Sequence, residues 1–239
     1  RLIGRCVDRV TNGWLLQIVA SFWVAEAMCI LAIQYKTTRD APILIAQNRE
    51  EFRDRPSQPP RIQSGKPRVV CPIDRKAGGT WFGVNQYRLV VTVANSFKTL
   101  VPPEPRSRGL LCRQLLNCRN AREAAEKAVK ELNTGAYAGA IYLCVDPEHG
   151  AVVYGGDQVA VEELTPGLHL LTGAGLDNPT DDRQELARRL LTLQRLDSAV
   201  TFLAVASKVF SHRADNINRR GLIIEGSDYG TVSSTLLAI

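Results

Sequence analysis

Short apolar runs separated by turn residues recur along most of the chain and predict β-strands. The first run extends from Cys29 to Tyr35, and the second extends from Pro42 to Ala46. Turn residues at 85–87 separate two more runs and predict a hairpin. The strands of this hairpin and the remaining predicted strands cover residues 80–84, 88–94, 138–145, 151–154, 168–172, 221–225 and 231–239.

Two blocks of the sequence instead show the spacing of amphipathic helices. The segment 53–76 is rich in Pro and Arg and predicts irregular backbone. Strands interrupted by two pairs of helices predict an α+β fold, with helices over antiparallel sheets rather than βαβ alternation. The predicted helices, each with its capping residue, are 109–116 (Ser107), 121–132 (Asn120), 182–193 (Asp181 or Asp182) and 198–210 (Asp197).

Composition narrows the class of protein. The chain has 239 residues, of which 45% are hydrophobic and 23% charged, so it is neither disordered nor fibrous. Its net charge is +6 without a long Lys/Arg run, which argues against a nucleic-acid partner. The segment 48–76 holds eight basic and four acidic residues, and is either a solvated loop or the rim of a site for an anionic substrate.

The cysteines and histidines do not form a metal-binding pattern. Six cysteines are scattered without a C-x-x-C pair, and three histidines lie far apart, so we predict no metal site. Such cysteine usage favours a reduced, cytoplasmic protein. No apolar run reaches the ~20 residues that an integral membrane span requires.

Residues 1–27 stand apart from the rest of the chain. Basic residues, an apolar stretch at 13–25 and the sequence Ala25-Glu26-Ala27 outline a signal peptide, which would make the protein exported. Alternatively, this leader is an upstream extension and the chain starts at Met28, its only methionine. We favour the second interpretation, because an exported protein should carry cysteines placed for pairing. A single domain is therefore expected over 28–239.

Cys29 is the first residue with distinctive chemistry. Removal of an initiator Met28 would leave Cys29 at the N-terminus, with a thiol of pKa ~8.5 beside an amine of pKa ~7.7–8.0. That amine can accept the thiol proton, as in enzymes with an N-terminal nucleophile. The alternative is a buried cysteine that packs in an apolar strand.

The charged sequence Asn48-Arg49-Glu50-Glu51 follows the second predicted strand. If that strand pairs with the first, these residues lie near Cys29. Arg49 could then lower the pKa of the thiol, and a carboxylate could orient the amine. A solvated charged turn is the alternative.

These residues resemble the NRDE-motif proteins, also called the transport and Golgi organisation family. The resemblance extends over nearly all of 28–239 in the family's order, and its motifs are highly specific. They are Met28-Cys29-Ile30-Leu31, Ala46 to Phe52, Arg55-Pro56, Ala77 to Val84, Ala94-Asn95, Ser107-Arg108-Gly109, Thr165-Pro166-Gly167 and Gly230 to Thr235.

The resemblance implies an N-terminal-nucleophile-hydrolase-like fold, a four-layer αββα sandwich of antiparallel sheets. It implies that Cys29 is the nucleophile, that Arg49 and Glu50 shape its electrostatics, and that Asn95 donates to an oxyanion. The substrate would be bound by Asn48, Gly79, Thr80 and Trp81. For Gly79 to Trp81, a tight hairpin entry with a core Trp is an equally good interpretation.

Four departures from the family pattern bear on activity. Glu50 replaces the family's Asp and is one methylene longer, so its reach to the amine differs. Thr172-Gly173 replaces a Ser-Asn pair, which removes a second amide donor, and Val232 replaces an Arg. The chain also ends at Ile239, short of a further strand and tail that are usual in the family.

Two functions remain open at this point. The first is a cysteine amidohydrolase or acyltransferase that acts on a small amide or thioester and needs no cofactor. The second is a non-catalytic protein that binds or traffics haem or an acyl lipid in a hydrolase-like pocket. Cys71-Pro72 matches the dipeptide of haem-regulatory motifs, but a loop cysteine before a turn proline is the better interpretation.

Overall fold

The computed structural model describes residues 29–214 and 221–239, and the leader 1–27 lies outside them. The strands are β1 (Ile30–Tyr35), β2 (Ile43–Phe52), β3 (Ser57–Gln63), β4 (Val69–Asp74), β5 (Phe82–Asn85), β6 (Val90–Asn95), β7 (Ala140–Val145), β8 (Gly150–Gly155), β9 (Val159–Glu163), β10 (Gly167–Thr172), β11 (Gly175–Leu176) and β12 (Tyr229–Ala238). The helices are α1 (Arg108–Leu115), α2 (Ala121–Leu132), α3 (Asp182–Leu191) and α4 (Ala199–Phe210).

The strands form two antiparallel sheets. One has five strands in the order β11-β10-β1-β2-β12, and the other has seven in the order β3-β4-β5-β6-β7-β8-β9. In the five-stranded sheet, β1 lies centrally between β10 and β2. The pairing of Ile30 with Asn48 brings the start of β1 next to the charged end of β2.

Three apolar clusters hold four layers together. The seven-stranded sheet packs against α1 and α2 through residues such as Leu111 and Ala128. The five-stranded sheet packs against α3 and α4 through residues such as Phe202. A third cluster, which includes Ile33 and Leu143, fills the space between the sheets. The predicted four-layer αββα sandwich, with the two helix pairs in separate layers, is confirmed.

Local hydrogen bonding explains why the helices begin where they do. The side chains of Ser107, Asn120 and Asp181 accept bonds from the first turns of α1, α2 and α3, as the sequence predicts. Helix α4 begins after Ser198, whose hydroxyl accepts from Thr201 N, so the prediction of Asp197 as its cap is wrong by one residue.

The segments 53–76 and 221–225 differ from their predicted structure, and β9 and β11 were not predicted. Residues 53–76 contain strands β3 and β4, because β3 is an edge strand whose bulge between Gln58 and Arg61 accommodates two prolines. Residues 221–225 do not form a strand, since Leu222 N and Ile223 N both donate to His212 O. Cys71 lies in β4 rather than in a loop, and it is buried in the core.

The described residues contain neither a membrane-spanning helix nor a cluster of metal ligands. None of the four helices is long and apolar enough to cross a membrane. Within 29–214 and 221–239, no cluster of three or more His, Cys, Asp or Glu side chains could hold a metal ion.

Candidate active site

Cys29 lies directly before β1 and lines a cavity of about 810 Å³. It stands one residue beyond the paired Ile30 and Asn48, which places it across from Arg49. Ile30 packs towards α4 and Leu31 packs between the sheets, so strand alternation turns Cys29 towards the space between the sheets. Cys29 and Arg49 therefore face the same cavity.

Arg49 is held rigidly in the cavity wall. Its guanidinium stacks on the Trp81 ring, with Cζ 3.9 Å from the ring centroid. Its Nη2 lies 3.4 Å from a carboxylate oxygen of Glu51, and Arg55 lies 3.7 Å from the same oxygen. Arg55 in turn binds Asp74 at 2.7 Å. The cation beside Cys29 is thus fixed by an aromatic ring and a shared carboxylate.

Glu50 is buried on the helix side of the same strand. Its Oε1 accepts hydrogen bonds from Arg183 Nη2 at 3.1 Å and from the Thr231 hydroxyl at 3.0 Å. Its Oε2 is equally buried and has no hydrogen-bond partner among the described residues. Burial raises the pKa of Glu50, against the opposing effects of Arg183, Thr231 and the Cys29 thiol. The site therefore contains a buried carboxylate oxygen that is free to accept a proton donor.

The electrostatics of Cys29 differ from the sequence-based expectation. Burial, with a further contribution from Glu50, raises the pKa of the Cys29 thiol to about 12, although Arg49 and Arg183 lower it. The thiol also lies 3.9 Å from the backbone oxygen of Glu50. The expected lowering of the thiol pKa by Arg49 is therefore outweighed, because desolvation of the thiolate is the larger effect.

Two glycines bring the far wall of the cavity into place. A Cβ on Gly79 would meet the carbonyl carbon of Gly109 at 2.2 Å, so only glycine allows this approach of α1 to the loop before β5. Thr80 N donates to Gly109 O at 2.9 Å and fixes the contact. This contact places Arg108, at the start of α1, in the cavity lining beside Trp81.

The predicted site residues divide into two groups. Cys29, Arg49, Glu50, Thr80, Trp81 and Asn95 all line the cavity, whereas Asn48 and Gly79 do not. Asn48 is fully buried on the helix side of β2, and its side chain donates to Phe210 O and Leu222 O at 2.9 and 3.0 Å. Thr80 lines the cavity but donates its hydroxyl to Phe82 O. Asn95 is exposed at the end of β6.

Sequence reasoning missed four residues of the site. Arg183 and Thr231 bind Glu50, and Arg108 and Tyr229 line the cavity. Arg108 and Thr231 lie within motifs that the resemblance covers, so a signal for them was present. Arg183 and Tyr229 lie outside those motifs, and only the packing of α3 and the start of β12 brings them to the site.

Comparisons with known proteins agree with this architecture. The sequence profile of the Transport and Golgi organisation 2 family matches residues 28–239. The Transport and Golgi organization 2 homolog of Mus musculus is 26% identical over 166 residues, which are 64% of this chain and 59% of the mouse protein. The chain thus matches less than two thirds of the length of that relative.

A solved structure with a TM-score above 0.5 shows the same fold at low sequence identity. The Caenorhabditis elegans N-acylethanolamine-hydrolyzing acid amidase ortholog superposes with a TM-score of 0.56 and 15% identity, over 88% of this chain and 92% of that chain. Penicillin V acylase from Agrobacterium tumefaciens gives a TM-score of 0.43 and 14% identity, over 76% and 66%. The fold is therefore N-terminal-nucleophile-hydrolase-like, and the match over 28–239 shows that the chain belongs to the Transport and Golgi organisation 2 family.

Proposed function

We propose that the protein is a cysteine N-terminal-nucleophile amidohydrolase or acyltransferase that acts on a small amide or thioester. The observation that carries this proposal is that Cys29 lines a cavity together with Arg49 and the buried carboxylate of Glu50. A volume of about 810 Å³ lies within the usual range for small-molecule sites. The structural similarity to the Caenorhabditis elegans acid amidase ortholog supports the proposal, because that protein has the same fold.

The proposed reaction requires that Cys29 be the first residue of the working chain. Its α-amine takes the thiol proton, and the thiolate attacks the carbonyl carbon of the substrate. The tetrahedral oxyanion collapses, the bond to the leaving amine or thiol breaks, and the ammonium returns its proton to that leaving group. Water, deprotonated by the amine, then hydrolyses the thioester, which releases the acid and restores the Cys29 thiol; an acceptor amine in place of water gives acyl transfer.

Each neighbour of Cys29 has a role in this scheme. The unpartnered Oε2 of Glu50 accepts a hydrogen bond from the ammonium of Cys29. The attraction between this carboxylate and the ammonium would offset the free-energy cost of burying the two charges. Proton transfer to the amine also bypasses the high pKa of the isolated thiol, since the pair remains neutral overall. Arg49 stabilises developing negative charge, and the Asn95 amide is assigned to the oxyanion.

The decisive experiment varies the first residue of the chain. A protein that begins at Cys29 is compared with the same protein carrying one alanine before Cys29 and with C29S. C112A is the matched cysteine control, because Cys112 is buried and does not line the cavity. The probes are acetyl and octanoyl p-nitroanilides and the corresponding phenyl thioesters. We expect turnover and acyl-Cys29 by mass spectrometry in the first protein and in C112A. The alanine extension should cost at least about a hundredfold in rate, the usual contribution of a general base.

Equal turnover by the alanine-extended protein would show that the amine is not the base. Turnover by C29S equal to that of the unsubstituted chain would show that Cys29 is not the nucleophile. Circular dichroism melts of all four proteins confirm that the comparison is between folded chains.

A binding or trafficking function for haem or an acyl lipid is the second candidate. Apolar side chains supply part of the cavity wall, namely Phe52, Trp81, Val93, Ile224 and Tyr229. The pKa of about 12 for the Cys29 thiol in the uncleaved chain also favours an unreactive cysteine. Saturable binding of octanoate or haem with no turnover of any probe would favour this function. Cys71 is buried and does not line the cavity, so it offers no haem contact there.

We place the protein in the cytoplasm under either proposal. All five cysteines of the described residues are free thiols, which is typical of a reducing compartment.

A further inference from the structure

The arginines that line the cavity differ in whether a carboxylate is paired with the guanidinium. Arg49 and Arg55 share Glu51, and Arg55 also binds Asp74. Each of these guanidiniums is therefore already committed to a carboxylate. Such a pair offers less net charge to a ligand than an unpaired guanidinium does, because the carboxylate offsets part of the positive charge at short range.

Arg106 and Arg108 lie two residues apart in the cavity lining, but only Arg106 is paired with a carboxylate. Arg106 binds Glu131 at 2.8 Å. Arg108 has no carboxylate within 4.0 Å among the described residues, and its Nη1 donates only to the backbone oxygen of Gly139, at 2.8 Å. A guanidinium has five N–H donors in a planar fork, so most of the donors of Arg108 remain available.

The surroundings of Arg108 favour an anion at this end of the cavity. Arg108 is partly buried, and its desolvation lowers its pKa. Tyr142 and Glu51 raise this pKa, whereas Arg55 lowers it further. A partly desolvated cation gains more from an oxyanion than an exposed one does. The lining also carries Glu225 and Asp228, which repel an anion, so the favourable position for an anion is the one beside Arg108.

We propose that Arg108 anchors an oxyanion group of the ligand, a carboxylate or a phosphate, and so selects anionic substrates for the cavity that Cys29 faces. The proposal rests on the proposed function only in taking that cavity as the ligand site. Arg108 is a specificity-determining residue in this scheme, because it lines the same cavity as Cys29.

The test uses matched pairs of thiol reagents that differ in charge. N-iodoacetylglycine is compared with N-iodoacetylglycinamide, and N-iodoacetylethanolamine phosphate is compared with N-iodoacetylethanolamine. In each case the sulfur of Cys29 bonds to the methylene carbon, iodide leaves, and the thiol proton passes to the buffer. The rate at Cys29 alone is read by peptide mass spectrometry of the full chain. The ratio of anionic to neutral reagent cancels any change in the pKa of the thiol.

Arg113 provides a matched control on the same helix. Like Arg108, it donates to a backbone carbonyl, that of Gly78 at 3.0 Å, but it does not line the cavity. We expect the rate ratio for at least one anionic reagent to fall roughly tenfold in R108Q, and to keep its full value in R113Q. R108K should retain part of the ratio, since it keeps the charge but loses the fork. The ratio of the unsubstituted protein should fall as NaCl is raised.

The outcomes are distinguishable from those of the proposed function. If the carboxylate pair responds and the phosphate pair does not, the anchored group is a carboxylate, and the reverse result assigns a phosphate. An equal ratio in R108Q, R113Q and the unsubstituted protein would overturn the proposal, even if the chain that begins at Cys29 is an active hydrolase. A loss of ratio in R108Q supports it even if no hydrolysis occurs. If R108Q melts at a lower temperature, R108K decides, because a full loss of ratio in a folded R108K also contradicts anchoring by charge.

Discussion

Replacement of Asn48 by leucine should destabilise the fold rather than weaken ligand binding. The Asn48 side chain is fully buried and joins three parts of the chain. Its amide donates to Phe210 O at the end of α4 and to Leu222 O, and its oxygen accepts from the Ser234 hydroxyl at 2.7 Å in β12. It thereby ties β2 to the segment that leads into the cavity wall at 224–229.

The expected magnitude follows from what each partner retains after the change. Leu222 O keeps a bond from Arg183 Nη2 at 3.1 Å, and the exposed Ser234 can turn to water. Phe210 O loses its side-chain donor in a buried setting. An unsatisfied buried carbonyl costs about 1–3 kcal/mol and each further lost bond costs about 1 kcal/mol. We therefore expect N48L to lower the free energy of unfolding by about 3–5 kcal/mol.

Urea unfolding at 25 °C, followed by circular dichroism, measures this change, with S234A as the matched control. S234A removes one bond at an edge strand and should cost no more than about 1 kcal/mol. A cost below 1 kcal/mol for N48L, combined with a loss of ligand binding, would refute the structural role and restore Asn48 as a binding residue.

Two further predictions concern pH and packing. His169 Nδ1 lies 2.6 Å from Asp177, and its other ring nitrogen faces a backbone oxygen, so the ring binds both acceptors only as imidazolium and its pKa is raised. Its stabilising contribution is therefore complete below the ordinary pKa of about 6.5 and is lost as the pH rises through the higher pKa that the ring has in the folded state. The urea midpoints of the unsubstituted protein and H169Q should therefore converge as the pH is raised. Convergence on lowering the pH instead would contradict the sign. G79A should lower the melting temperature by several degrees, because its Cβ would lie 2.2 Å from the Gly109 backbone. G156A is the control and should have little effect, since its Cβ would have no atom closer than 3.8 Å. Equal melting temperatures for the two variants would show that the fold does not require the close contact.

The sequence predicted most of the secondary structure because the signals were local. The side chains of Ser107, Asn120 and Asp181 bond to backbone amides within three residues, and such bonds can be identified from composition and spacing. Strands β3 and β4 were missed because pairing between them overrides the preference of Pro-rich sequence for irregular backbone. That pairing joins residues from 6 positions apart (Gln63 and Val69) to 17 positions apart (Ser57 and Asp74), so it depends on contact between two segments rather than on the composition of either one.

The candidate site likewise combines features that are visible in the sequence with features that only the folded chain shows. The charged run after the second strand and the cysteine at the start of the first are visible in the sequence, and antiparallel pairing of adjacent strands is enough to bring them together. The faces of those side chains were not assigned from sequence. Arg49 points between the sheets and Asn48 points to the helices, because β2 alternates between two buried layers rather than between core and solvent.

The sequence by itself determined most of the elements and the chemistry available at Cys29, since these depend on residue type and short-range spacing. The order of the layers was expected from the family resemblance. Only the tertiary structure decided the charge state of the site and its shape. Burial, which is a property of the packed chain, raises the pKa of the thiol that Arg49 was expected to lower. The contact between Gly79 and Gly109, 30 residues apart, places an arginine without a carboxylate partner, Arg108, in the cavity.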